Sequence, residues 1–177
     1  HPAHLPPTIR SRCQQIRIAA PDRDAALQWL AGQLPGQDPA IYLQLANGAP
    51  LAALVQARDG SVEARRECLG ALLGILEGRA SPLAVAQAWG KDENLQGIIW
   101  LRDWLMDLLR IHMTGKTDGV RSVDLLNDLA RIARRLDSRV MFAQLAHINR
   151  TLRLTAASSL NRQLMTEDIL LAWAAQK

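Results

Sequence analysis

From Asp22 to the C-terminus, apolar residues return every three or four positions, and helix-stopping residues cut the runs at short intervals. This pattern restricts the chain to a helical fold, because a stripe of that period lies on one face of a helix but on both faces of a strand. Asp22 is placed to cap a first helix reaching about Leu34, with Ala26, Leu27, Leu30 and Leu34 inward, and Pro35-Gly36 ends it. Asp38-Pro39 opens a second, with proline where no backbone donor is lost, and Asn47-Gly48 stops it. A third runs from about Ala49 to Ala57 and ends at Asp59-Gly60.

Beyond Ser61 the helices lengthen. One covers residues 62–77, with Gly78 as its stop, and Ser81-Pro82 opens a short one that closes at Gly90. The next, residues 93–113, sets Ile98, Leu101, Leu105, Leu108 and His112 on one face, with Trp100 and Trp104 as a second apolar ridge. A helix apolar over so much of its circumference belongs at the centre of a bundle. Residues 122–136 place Leu125, Leu126, Leu129, Ile132 and Leu136 inward, and residues 138–157 do the same with Met141, Leu145, Ile148 and Leu152. Thr166 is placed to cap a last helix carrying Ile169, Leu170 and Trp173. These periods predict seven to nine helices in two units split near residue 61, plus one short strand at residues 14–19, where polar and apolar residues alternate.

Composition agrees: 49% of the residues are apolar but only 4% aromatic, which favours helix over sheet. A net charge of +4 and a pI near 9.7 permit contact with nucleic acid without arguing for it. Cys13 and Cys68 form no CxxC pair, which suits a reducing, cytoplasmic compartment. No run approaches the roughly 18 apolar residues of a membrane span. The Pro-rich leader has neither a signal peptide's apolar region nor an initiator Met, so the chain reads as part of a longer protein.

Motifs for chemistry are sparse. Gly115-Lys116-Thr117 resembles the end of a phosphate-binding loop, but Arg110 stands where that loop needs a glycine, and a helix precedes it instead of a strand. His1 and His4 lie in the leader while His112 and His147 sit on different helices, so no metal site and no cofactor site is expected. Residues 49–57 could imitate a recognition helix, yet they hold no Arg, Lys or Asn to read base edges and only one Gln, Gln56. Trp100 and Trp104 read as packing, not as a base-stacking platform.

One segment carries more. Leu5-Pro6-Pro7-Thr8-Ile9-Arg10-Ser11-Arg12-Cys13 is similar to the end of the ATPase core in clamp-loader subunits of the AAA+ superfamily, whose Ser-Arg-Cys triplet carries an arginine finger. Ser11, Arg12 and Cys13 match the triplet without a gap, so the resemblance gives the finger role to Arg12 and not to Arg10 or Arg17. Asn47-Gly48-Ala49-Pro50-Leu51-Ala52-Ala53-Leu54 resembles the second-sensor segment of the lid, with Leu51 where hydrolysing members carry arginine. Leu160-Asn161-Arg162-Gln163-Leu164 followed by Ile169-Leu170-Leu171 resembles the end of the collar.

The resemblance implies an ATPase-core remnant at residues 1–20, a three-helix lid at 21–61 and a helical collar for oligomerisation at 62–177. It further implies a non-hydrolysing stator in the clamp loader of bacterial DNA polymerase III, an accessory to the polymerase and not itself an enzyme. The implied partners are other clamp-loader subunits in a hetero-oligomeric ring and, through the whole complex, the sliding clamp and primer-template DNA. The zinc-binding cysteines of the family would lie in a preceding core. Without the resemblance, the residues alone leave open a generic helical interaction or helix-turn-helix module in which Arg12 is a solvated side chain.

Overall fold

The computed structural model describes residues 6–14, 19–92, 95–117, 119–157 and 161–176. Its helices are α1 (Pro7–Arg10), α2 (Arg23–Gln33), α3 (Pro39–Leu45), α4 (Pro50–Arg58), α5 (Ser61–Leu76), α6 (Pro82–Trp89), α7 (Gln96–Thr114), α8 (Leu126–Ala133), α9 (Ser138–Ala157) and α10 (Arg162–Ala174), with a 3-10 turn at Val123–Leu125. Among the described residues there is no strand, and the fold is all-α as expected. The strand anticipated at residues 14–19 falls largely on 15–18, outside the described residues. The helix beyond the seven to nine anticipated is the single turn α1 in the leader.

Most helix ends follow from the residues that punctuate them. Asp22, Asp38 and Ser81 accept from the backbone N–H groups of Ala25 (2.9 Å), Ala40 (2.9 Å) and Ala84 (3.4 Å), satisfying donors that the first turn leaves orphaned. Between α3 and α4 the chain turns through two left-handed residues, Asn47 (φ 53°) and Gly48 (φ 80°). There the Gly48 N–H donates to Leu43 O at 2.8 Å and the Asn47 N–H to Gln44 O at 3.1 Å, a Schellman closure that asparagine and glycine tolerate.

Three sequence expectations are corrected. The residue capping α10 is Asn161, which accepts from Gln163 N–H (3.0 Å) and Leu164 N–H (3.2 Å). Thr166 is instead fully buried inside α10, its hydroxyl donating back to Arg162 O at 2.8 Å. His112, expected inward, is exposed in the last turn of α7. The helix expected over residues 122–136 is a 3-10 turn followed by the shorter α8, because the loop before it is pinned by a side chain of α7 described below.

The apolar residues form two clusters. The first joins Ala26, Leu30 and Leu34 of the α2 segment to Tyr42, Leu43, Ala46 and Ala53, and it takes in Val62 from the start of α5. The second gathers α5 to α10 around α7, whose Ile98, Leu101, Trp104, Leu105 and Leu108 are each at most 1% exposed. Full burial of one Leu or Ile side chain contributes about 1.5–3 kcal/mol, so a row of them fixes α7 as the central element. Trp173 of α10 is fully buried, and its indole N–H donates to Leu72 O of α5 at 3.2 Å, which spares that polar atom the cost of burial. Gly97 is needed where α6 crosses the start of α7, since a Cβ there would lie 2.6 Å from the Trp89 ring.

Candidate functional site

The Ser-Arg-Cys triplet lies directly after α1. The Ile9 N–H donates to Pro6 O (3.0 Å), the Arg12 N–H to Ile9 O (3.1 Å), and the Ser11 hydroxyl to Thr8 O (3.2 Å). Ser11 is therefore spent on closing its own turn, which leaves Arg12 at the tip. Arg12 is exposed, and no ion pair to it occurs among the described residues. Cys13 beside it is an exposed free thiol. A guanidinium held this way has all its donors available for an external phosphate, with a forked geometry that suits phosphate oxygens. Arg17 lies outside the described residues.

The segment read as a second sensor has a matching absence. Leu51, in the first turn of α4, is 71% exposed, so it offers no charge to a nucleotide. Val55, one turn on, is also largely exposed, giving α4 an apolar outer face on which the half-buried Gln56 and the terminal Arg58 are the groups able to read base edges. Among the described residues no group of His, Cys, Asp and Glu is arranged to hold a metal ion. His147 instead pairs with Asp168 at 2.9 Å, and no described helix is long and apolar enough to cross a membrane.

Sequence reasoning missed the polar network where the two clusters meet. Asp107 of α7 is buried, and its two carboxylate oxygens accept the Arg121 N–H (3.1 Å) and the Ser122 N–H (3.0 Å). Ser122 Oγ in turn accepts from Arg65 Nη2 of α5 at 2.9 Å, and the Arg65 guanidinium lies 5.6 Å from the centre of the Trp104 ring. Burial pushes the Arg65 pKa down, and Asp124, Asp103 and Asp107 oppose that shift. From the other side, Gln44 Nε2 of α3 donates to Val120 O at 2.6 Å. Residues 120–122 are thus held by α3, α5 and α7 together, and this ties α3 to the larger bundle. The one signal in the sequence was Arg65, a charge at an inward position between Val62 and Leu69.

Residues 59–175 match the family described as DNA polymerase III, delta subunit, C terminal. Three curated relatives, each named DNA polymerase III subunit delta', match along almost the whole chain. The one from Pseudomonas aeruginosa is 28% identical over 98% of this chain and 54% of its own length. The relative from Yersinia pestis is 31% identical over 97% and 52%, and that from Escherichia coli K12 is 27% identical over 96% and 51%. The chain therefore spans about half the length of these relatives.

Proposed function

We propose, from the premise that this chain belongs to the family of C-terminal delta-subunit regions of DNA polymerase III, that it serves as a non-hydrolysing stator of the replicative clamp loader and lends Arg12 to an ATP site on a neighbour in the ring. In this reading residues 21–61 are the lid and residues 62–177 the collar that joins related subunits into a ring, which acts on the sliding clamp and primer-template DNA. What carries the reading is the unpaired, exposed Arg12 inside an ungapped Ser-Arg-Cys triplet, in a chain that aligns with delta' relatives over nearly its full length.

The chemistry follows from charge. As the γ-phosphoryl group transfers, negative charge spreads over its oxygens, and a guanidinium placed against them stabilises the transition state more than the bound nucleotide. Ser11 contributes by closing the turn through Thr8, so Arg12 is presented with little of the backbone left to order. Leu51 cannot supply the second positive charge that a self-contained site would need, which supports a role in lending rather than hydrolysing. The bond from Gln44 to Val120 O, on a stretch that Asp107 holds through Arg121 and Ser122, supports a stiff connection between the lid and collar helices, as a stator requires.

The test is Arg12→Ala in the full-length protein. The assembled complex should keep its subunit stoichiometry while DNA-stimulated ATP hydrolysis and clamp loading slow. A finger in isolation is worth roughly 10³–10⁵ in rate, but a ring keeps its other fingers, so the total falls by less. Arg12→Lys should rescue little, because a point-like ammonium cannot reproduce the fork. Full clamp-loading activity with unchanged stoichiometry in the alanine variant would defeat the assignment.

A further inference from the structure

The outer face of α9 is an acid-free stripe of arginine. In its 20 residues the helix carries Arg139, Arg150 and Arg153 and no Asp or Glu. At 3.6 residues per turn the three point within about 60° of one another. All three are exposed, as are Phe142, Ala143 and Ala146 between them. No ion pair to any of the three occurs among the described residues.

Beside the stripe, Arg153 and Arg102 of α7 flank a groove of about 470 Å³ lined also by Ala146, Asn149 and Leu152. Three nearby acids, Asp103, Asp168 and Asp137, stand against five arginines, Arg102, Arg121, Arg139, Arg150 and Arg153. Asp103 holds Arg102 at 2.8 Å and reaches Arg121 at 4.0 Å, Asp168 pairs with His147, and Asp137 accepts the Arg139 backbone N–H at 2.7 Å. Positive charge is therefore left over along the face.

We propose that this face of α9 docks the sugar-phosphate backbone of nucleic acid, with Arg139 on one phosphate, Arg150 and Arg153 on others further along, and Asn149 and Arg102 at the groove. From Arg139 to Arg153 the helix advances about 21 Å, or roughly six base-pair rises, enough for three separate phosphate contacts. The contact is blind to sequence, because phosphates carry no base identity and the face holds one amide, Asn149, and no other base-reading group near the arginines. Phe142, 52% exposed, offers a ring against which a sugar or base can rest. The choice of nucleic acid over an acidic peptide rests on the clamp-loader reading above.

The experiment is fluorescence anisotropy of the full-length protein with a labelled mixed-sequence duplex, without ATP or other subunits, between about 50 and 200 mM salt. Three phosphate contacts give the wild type about 40-fold of salt sensitivity across that range. The combined variant Arg139→Gln, Arg150→Gln, Arg153→Gln should bind at least about tenfold more weakly at the low-salt end and lose a salt slope of about 2–3. The corresponding Arg→Lys variant should keep the slope, which separates lost charge from lost folding. Absence of duplex binding by the wild type at low salt, or a glutamine variant with unchanged affinity and slope, overturns the proposal. So does polyglutamate that displaces the duplex at equal charge concentration, which would mark an acidic protein segment as the occupant. Because no ATP or partner is present, failure here leaves the role of Arg12 standing, and an inert Arg12 leaves this result standing.

Discussion

Replacing Asp107 with alanine removes both acceptors that hold the loop before Val123. The carboxylate receives the Arg121 N–H at 3.1 Å and the Ser122 N–H at 3.0 Å, and it is 4% exposed. Hydrogen bonds to a charged acceptor are worth about 1.5–3 kcal/mol each, and a buried donor left unpaired costs about 1–3 kcal/mol. Ser122 is 1% exposed, so its N–H has no water to turn to, while Arg121 is partly exposed and recovers some of the loss. The net destabilisation is about 3 kcal/mol, with Arg65 losing an ordered Ser122 partner as part of it. For a unit of this size that lowers the melting temperature by about 6–12 °C. Asp107→Asn keeps the shape and one acceptor, so about half the shift should remain. Thermal melts of wild type and both variants give the answer, and amide exchange at Ser122 should speed up in the alanine variant. An alanine variant melting within about 2 °C of wild type, with Ser122 still protected, would show that the loop is held by something else.

Two further outcomes can be read from the ionisable groups. Glu77 has its carboxyl held below the ordinary glutamate value, first by the hydrogen bond from Arg79 and then by the charges of Arg79, Arg131 and Arg135. Since the folded value lies below the unfolded one, whatever stability Glu77 contributes is complete above the unfolded value and is lost as the pH falls through the folded one. NMR titration should therefore place Glu77 below a free glutamate and move it upward in Arg79→Ala; an unmoved midpoint in that variant would refute the attribution. Burial, aided by Glu67 and Asp92, pushes the Cys68 thiol up to about 11, while Cys13 is exposed. At about pH 8 a thiol reagent should label Cys13 rapidly and the half-buried, high-pKa Cys68 much more slowly, and equal native rates would contradict the raised pKa of Cys68.

The helical plan was legible wherever a local signal decided it. Asp22, Asp38 and Ser81 each sit immediately before a periodic apolar run, and each caps the helix it opens. The bounds of α9 match because Ser138 marks its start in the sequence, its Met141-to-Ile148 spacing holding the buried face. Errors arose where tertiary contact overrode local pattern. Asn161 and Thr166 are both competent caps, and only the packing of α10 against α6 puts Thr166 inside the helix. The stripe through residues 122–136 has helical period throughout, but Asp107 takes the N–H groups of Arg121 and Ser122, so the chain enters α8 through a 3-10 turn. For partners 15 and 57 residues apart, as for Asp107 and Arg65 with Ser122, the sequence marks at most one inward charge, Arg65, and not the residue it meets. At the candidate site the triplet was visible as residues. That Ser11 closes the turn and leaves Arg12 outward required coordinates.

The most direct test of the proposed finger is the structure of the assembled complex bound to a γ-phosphate transition-state analogue. The Arg12 guanidinium is expected to cross the interface to its neighbour and donate to the analogue within about 3 Å. Arg12 found in solvent, or paired within its own chain while the neighbouring ATP site is closed, would contradict it.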